Sequence, residues 1–361
     1  MTNDEVGVGI IGCGWAGLAH AMCYAQFPNV KIIAFADPVE GKAKEYAKKY
    51  GAETWFRDYE ALLKRSDVDA ISVCVPPFLH SKVTIDAAEA GIKYILCEKP
   101  LSLTIEDCDK SIEAAKKNRA NIQVGFYKRF MPAFVKAKEI LDSGDIGDPV
   151  RIYYRWHTNK HYLSKGWRLD PSKSGGFTVD WCAHGCDLLP WYFGKVDEIY
   201  SHMEALVKGI PNSATEDNVT VLFKFENGGM GTLEGSCSGT YRFPGREALN
   251  VLASKGGFYL NPHVGYESML RITLYNDERR ISEYVNPLTP YGTGEYYWEF
   301  KDFIDCILNG EKPKVTGEDG RFALEVALAA LESSKTGKPV KMGSSRARAS
   351  KNTRMVEMKH V

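Results

Sequence analysis

The 361-residue sequence has no excess of either charge: 46 Lys+Arg stand against 46 Asp+Glu. A surface built for phosphate backbones carries surplus cations, so formal neutrality argues against a nucleic-acid partner. No apolar run approaches the roughly 18 residues that a membrane span needs, and no membrane association is expected. The opening stretch MTNDEVGVGIIG lacks a basic region followed by an apolar one, so it is not expected to be a secretory signal; it leads straight into a strand. Cys-x-x-Cys is absent, although cysteine occurs nine times, at Cys13, Cys23, Cys74, Cys97, Cys108, Cys182, Cys186, Cys237 and Cys306. An odd, widely spaced set reads as reduced, buried thiols of a cytoplasmic protein rather than a disulfide framework. On a helix Cys182 and Cys186 would share one face and His184 would lie nearly opposite, so no metal site is expected. Internal repeats and low-complexity linkers are also missing. What is present is ordinary for a globular protein, 44% hydrophobic and 25% charged, which excludes wholesale disorder. The length suits about two domains of roughly 100–200 residues.

The first third alternates strand-like and helix-like segments. Val6–Gly12, Val30–Ala36, Ala70–Val75, Lys93–Cys97 and Asn121–Phe126 are apolar runs suited to strands buried on both faces. Between them, Gly41–Tyr50, Tyr59–Arg65, Ser81–Ala90 and Ile105–Lys117 have helical patterns. Such alternation predicts a doubly wound parallel sheet, with the C-terminal ends of the strands along the ligand-binding edge. After about residue 127 the texture changes. Val150–Trp156, Glu198–Val207, Asn218–Phe225, Gly229–Ser236, Ala248–Ala253 and Leu270–Tyr275 read as strands, most of them joined by short turns such as Glu226-Asn227-Gly228. Strands linked in this way imply a large, mostly antiparallel sheet. Helices are predicted at Gly176–Tyr192, Glu295–Leu308 and Gly320–Ser333. The expected fold is therefore α/β: a parallel-sheet domain over residues 1–126, then an α+β domain over 127–342. Residues 343–361 form a polar tail with Arg346, Arg348, Lys351, Arg354 and Lys359, read as a frayed terminus, with a partner-binding arm as the alternative.

Gly12-Cys13-Gly14-Trp15-Ala16-Gly17 is a G-x-G-x-x-G between the first strand and a helical run beginning near Trp15. The first glycine allows a tight turn, the second lets a pyrophosphate approach the backbone, and the third permits close helix–strand packing. The helix start then offers N–H groups and a positive dipole end to the phosphates. Asp37 follows 20 residues after Gly17, at the end of the second strand. A carboxylate there accepts hydrogen bonds from the adenosine ribose and repels a 2′-phosphate, and Pro38-Val39 bring no cation to offset it, so NAD is expected rather than NADP. The plain alternative, glycines that only make a turn, leaves the register of strand, glycines, helix and acid unexplained.

Two further strand ends should open at the same edge, Pro76-Pro77-Phe78-Leu79-His80 and Glu98-Lys99-Pro100, placing Lys99 near the nicotinamide. In the second domain Asp180 and His184 stand four apart on the predicted helix and would share a face, with Asp187 on its flank. From residue 6 to about 342 the sequence resembles the glucose–fructose oxidoreductase / inositol dehydrogenase / rhizopine catabolism (Gfo/Idh/MocA) family. The resemblance rests on the glycine fingerprint, Ala36-Asp37-Pro38, Pro76 with His80, and Glu98-Lys99-Pro100. It also rests on Gly125-Phe126 leading to Arg129-Phe130 and Pro132, and on Gly175-Gly176 followed by Asp180, His184 and Asp187. It implies a Rossmann domain followed by an open-faced sheet domain, and NAD(P)-dependent oxidation or reduction of a sugar or cyclitol with Lys99 and His184 catalytic. Two departures stand out: Pro77 where family members usually carry Asn, and Trp181-Cys182-Ala183 in place of a small, Gly-containing spacer.

Oxidising a secondary alcohol moves a hydride to the nicotinamide and a proton to a base. His184 suits the base, Lys99 the stabilisation of a developing alkoxide, and Asp180 the binding of hydroxyls or the orientation of its neighbours. Singly, Lys99 reads as a solvated charge, His184 as a packed histidine and Asp180 as a helical charge partner; together they read as catalysis. The cofactor residues are then Gly12, Gly14, Trp15, Ala16, Gly17, Asp37, Pro76, His80, Glu98 and Lys99. A sugar, glycoside or cyclitol pocket needs polar groups for hydroxyls and aromatic faces for C–H bonds. Candidates are Tyr127, Lys128, Arg129, Trp156, His157, Trp167, Arg168, Asp180, Trp181 and His184, with 157–174 as a specificity loop that includes His161, Tyr162 and Lys165. The expected reaction is oxidation of a ring secondary alcohol, with C3 of a glucoside as one position. The alternatives are a non-catalytic regulator of the same fold, or a reductase of another carbonyl or imine. A homo-oligomer formed through the second sheet is expected.

Overall fold

The computed structural model describes residues 5–163, 166–207, 215–238, 246–264, 269–276, 280–285 and 294–343. Lys165 of the specificity loop and the tail from residue 344 onward lie outside the described residues. The chain forms two compact units, one of residues 1–132 with 288–321 and one of 133–287 with 322–361.

The first unit is built on six parallel strands: β1 (Val6–Ile11), β2 (Val30–Ala36), β3 (Thr54–Phe56), β4 (Ala70–Val73), β5 (Tyr94–Cys97) and β6 (Asn121–Val124). Their order is β3-β2-β1-β4-β5-β6, the doubly wound order with a switch point between β1 and β4. β1 is buried along its whole length, as a strand covered by helices on both faces must be. On one side, Val8, Ile10 and Phe35 pack with Tyr24 and Ala47 and with Phe300, Phe303 and Ile304 of the helix Tyr297–Asn309. That helix returns from beyond the second unit's sheet to complete this core. The three-residue β3 was not anticipated, because its segment is too short to show a period.

Among the described residues the second unit carries nine strands: β7 (Pro149–His157), β8 (Val196–Glu204), β9 (Asn218–Phe225), β10 (Met230–Ser236), β11 (Glu247–Ala253), β12 (Gly256–Val264), β13 (Met269–Asn276), β14 (Arg280–Val285) and β15 (Val340–Lys341). The order is β14-β13-β12-β11-β7-β10-β9-β8-β15, antiparallel except for the β7–β10 pair. β9 alternates buried and exposed residues, so one face is packed and the other is open. On the packed side the helix Ala183–Phe193 lies against β7 and β10.

The expected helix over Gly176–Tyr192 is a correction. The segment forms two helices, Gly176–Asp180 and Ala183–Phe193, broken at Trp181-Cys182. The amides of both Trp181 and Cys182 donate to the one carbonyl of Phe177, at 2.8 and 3.2 Å, which widens the turn. The indole of Trp181 is held aside by its Nε1–H, which donates to the Trp156 carbonyl at 3.1 Å. Asp180 therefore ends one helix and His184 lies in the first turn of the next, so i, i+4 spacing on one helix no longer relates them.

Candidate active site

In the first unit the site begins at the turn after β1. Gly12 has φ +100, and a Cβ there would lie 2.4 Å from the Cys74 carbonyl oxygen, so only glycine fits. A Cβ on Gly17 would lie 2.0 Å from the Gly12 oxygen, so helix and turn are in direct backbone contact. Around Gly14 the opposite holds: its Cβ would meet nothing within 4 Å. The helix Trp15–Tyr24 starts there with no side-chain cap, and its first N–H groups have no intrahelical acceptor. Open space before an uncapped helix start is where a dinucleotide pyrophosphate fits. Trp15 is 71% exposed at the rim of this opening and meets Tyr296 edge-on, with centroids 5.9 Å apart.

Asp37, beyond β2, is fixed by accepting from the Cys13 amide at 2.7 Å on Oδ2 and from the Val39 amide at 2.8 Å on Oδ1. Each oxygen keeps acceptor capacity for a ribose hydroxyl. Burial first, then the Asp37 charge, push the Cys13 thiol up to about 12, with Lys42 opposing.

The turns after β4 and β5 are bound to each other. Pro76 precedes a short 3₁₀ turn at Pro77–Leu79, and His80 is buried beneath it. The His80 ring nitrogens lie 2.6 Å (Nδ1) from the Pro100 carbonyl and 2.8 Å (Nε2) from the Val75 carbonyl. Burial pushes its pKa down, and the two carbonyls offset part of that. With both nitrogens engaged, His80 serves the nucleotide edge by tying two turns together. The Glu98 amide donates to the Val73 carbonyl at 3.1 Å, and Lys99 follows, half-buried, before a cis bond to Pro100. Tyr127 is buried against Tyr296 at 4.6 Å, the buried Lys128 Nζ lies 5.0 Å from the Tyr127 ring centre, and Arg129 Nη1 donates to Asp319 Oδ1 at 3.1 Å. These three candidates thus lie in the first unit.

In the second unit the structure gathers Trp156, Tyr162, Arg168, Phe177, Asp180, Trp181 and His184. The Trp156 and Trp181 rings lie 4.1 Å apart, and Trp156 meets His184 edge-on at 5.2 Å. The hydroxyl of Tyr162 donates to Asp180 Oδ2, and Arg168 Nε donates to the same oxygen at 3.1 Å. The Arg168 guanidinium also covers the Tyr162 and Trp167 rings, at 4.6 and 4.2 Å. Burial, then the Asp180 charge, push the Tyr162 phenol well above its ordinary value. The result is a buried carboxylate and imidazole beside a wall of aromatic faces, the combination that polyols demand. His157 lies elsewhere, on the other face of β7, with Nε2 3.0 Å from Glu234 Oε1. Tyr162 is legible in the sequence only as a member of the 157–174 loop and Phe177 not at all, because nothing in their spacing ties them to Asp180 or Trp181. Among the described residues no group of three or more His, Cys, Asp or Glu could hold a metal, and no helix is long and apolar enough to cross a membrane.

A doubly wound sheet with an uncapped, glycine-lined helix start and a ribose-facing acid defines a dinucleotide-binding oxidoreductase. Residues 6–126 match the model of the oxidoreductase family with the NAD-binding Rossmann fold, and residues 134–259 match the GFO/IDH/MocA C-terminal domain. The chain belongs to the Gfo/Idh/MocA family of NAD-dependent oxidoreductases. It is 31% identical to myo-inositol 2-dehydrogenase of Thermotoga maritima, over 93% of this chain and 98% of that one. It is 28% identical to scyllo-inositol 2-dehydrogenase (NAD(+)) of Bacillus subtilis, over 96% and 98%. A crystal structure of a probable dehydrogenase from Thermotoga maritima superposes with a TM-score of 0.78 at 28% identity, over 93% of this chain and 98% of that chain.

Proposed function

We propose that this protein oxidises a ring secondary alcohol of a cyclitol, sugar or glycoside, with Lys99 and His184 handling the proton. The observation that carries the reading is the grouping of buried Asp180 and His184 with Trp156, Trp181 and Tyr162, in a chain similar to two inositol dehydrogenases. Bound NAD supplies the hydride acceptor. His184 accepts the hydroxyl proton, its imidazole having a reference pKa near neutrality. The Lys99 ammonium stabilises the alkoxide that develops as the hydride leaves. Asp180, held by Arg168 and Tyr162, orients hydroxyls of the substrate ring. Gly12, Gly14, Trp15, Ala16, Gly17 and Asp37 hold the dinucleotide, while Pro76, His80 and Glu98 shape the edge beside it. Trp156, Trp167, Arg168 and Trp181 contact the substrate, as do Tyr127 and Arg129.

On this reading residues 1–126 serve the cofactor and 127–342 the substrate. The protein works in the cytoplasm, in keeping with nine thiols that are all buried and outside any disulfide. The open face of the second sheet joins copies of the chain. It exposes Tyr200 and Leu222 among polar neighbours, a composition suited to a subunit interface.

The test is NADH formation followed by ultraviolet absorbance across inositols, aldoses and glucosides. Turnover with a cyclitol or pyranose is expected. NADH binding without turnover on any polyol, in either direction, overturns the reading in favour of a sensor.

A further inference from the structure

Behind the Lys99 turn runs a buried chain of polar side chains that the reaction above does not use. The Tyr24 hydroxyl lies 2.8 Å from Ser72 Oγ, and Ser72 Oγ lies 3.0 Å from His20 Nδ1. His20 Nε2 lies 3.1 Å from Glu98 Oε1, and the Lys99 backbone amide donates to Glu98 Oε2 at 3.2 Å. His20, Tyr24 and Ser72 are 0% exposed and Glu98 8%, so each polar atom depends on these partners. One arrangement satisfies all of them. Tyr24 donates to Ser72, Ser72 donates to Nδ1, and the ring proton sits on Nε2 and points at Glu98. Cys74 Sγ, 3.3 Å from Nδ1, is a second partner there. Phe300 meets both His20 and Tyr24 edge-on at 4.7 Å and seals the chain from water.

The surroundings of Glu98 explain why it needs this support. Facing it are His20 from the helix Trp15–Tyr24, Cys74 after β4, His80 from the helix His80–Glu89, Lys99 beside it, and Tyr296 and Glu299 from the C-terminal segment of this unit. Gly125 packs directly on its carboxyl, a Cβ there coming within 3.2 Å of Oε2. Glu299 is fully buried, and neither of its carboxyl oxygens has a hydrogen-bond partner. Burial, then the charge of Glu98, drive the Glu299 carboxyl well above its ordinary value. Burial would raise Glu98 too, but the hydrogen bond from His20 Nε2, together with the Lys99 charge, outweighs it, and the net direction is down. Of two buried acids that repel each other, the one that touches His20 is held down and the other is pushed up.

We propose that His20 is a positioning residue for catalysis: its bond to Glu98 holds the carboxylate on the Lys99 amide and so sets the direction in which the Lys99 side chain leaves the strand end. The inference rests on the catalytic reading of Lys99. Ser72 and Tyr24 act one and two bonds further back, by fixing the His20 ring.

The experiment measures kcat, the KM for NAD and the pH profile of kcat for His20→Leu, His20→Gln and Ser72→Ala in the full-length enzyme, with Lys99→Ala as control. His20→Leu is expected to lower kcat about tenfold or more while leaving the KM for NAD within about twofold. It should also move the second loss of activity, below the limb set by His184, up by about one pH unit, because Glu98 then faces burial and Glu299 with less opposition. His20→Gln, which keeps a donor, should recover most of the rate. Ser72→Ala should shift the profile the same way by less, and it carries the test should His20→Leu not fold. An unshifted profile in both His20→Leu and Ser72→Ala, with Lys99→Ala inactive, overturns this inference and leaves the reading of Lys99 standing. A fully active Lys99→Ala removes that reading, and this inference with it.

Discussion

The two units build their chemistry from different parts of the residue. Around the nucleotide edge of the first, the main chain does much of the work: the Gly12 turn, the uncapped helix start at Gly14, and amides that position Asp37. In the second, side chains do it: a carboxylate held by a phenol and a guanidinium, and an imidazole beside two indoles. A main-chain site recognises what every nucleotide shares and tolerates little change in the backbone. A side-chain site can be re-cut one residue at a time, which is how one scaffold serves many polyols.

The contrast can be broken most forcefully at the two groups proposed to handle the proton. His184→Ala and Lys99→Ala should each lower turnover by about 10²–10⁴-fold, the scale of a lost acid–base group, with NADH affinity nearly unchanged in a fluorescence titration. Wild-type turnover in His184→Ala would dissolve the side-chain half of the comparison. The main-chain half is sharpened by two glycines. Gly14→Ala puts a methyl into open space, so it should leave Tm unchanged yet weaken NADH binding about tenfold, on the order of 1.4 kcal/mol. Gly17→Ala drives a Cβ to 2.0 Å from the Gly12 oxygen and should lower Tm by about 5 °C, as overpacking does. Equal effects of the two on Tm would mean that the space before the helix is not a ligand's.

The smallest effect lies away from both sites. The His157 hydrogen bond, against the penalty of burial and with help from Tyr153 and the charges of His157 and Arg155, holds Glu234 from an ordinary 4.5 down to about 2. Its folded value is depressed, so the stabilisation is complete above pH 4.5 and fades as the pH falls toward 2. Glu234→Gln should therefore lower Tm slightly at pH 6, and the difference from wild type should close on acidification. A gap that widens instead would refute the assignment.

Legibility followed the same division. The five longer strands of the first sheet and their helices showed in the sequence because alternating apolar runs and glycine punctuation are local signals. The glycine turn and Asp37 were legible for the same reason. Strands β12 and β14 were not, since they carry no turn signature strong enough to set them apart. Nor was the helix break at Trp181-Cys182, which depends on Trp181 finding the Trp156 carbonyl from another strand. Arg168 was legible as a substrate candidate and Tyr162 only as a member of a polar loop; their grip on Asp180 is a contact across the fold. His20 looked like one more residue on a helix.

Sequence alone therefore determined the doubly wound domain, its preference for an unphosphorylated adenosine ribose, and the residue types available for proton transfer, because each depends on neighbours within a strand–turn–helix unit. Tertiary structure alone decided which buried acid is held down, Glu98, which is pushed up, Glu299, and which aromatics surround His184. Those outcomes depend on burial and on partners distant in the chain, and a chain shows neither until it has folded.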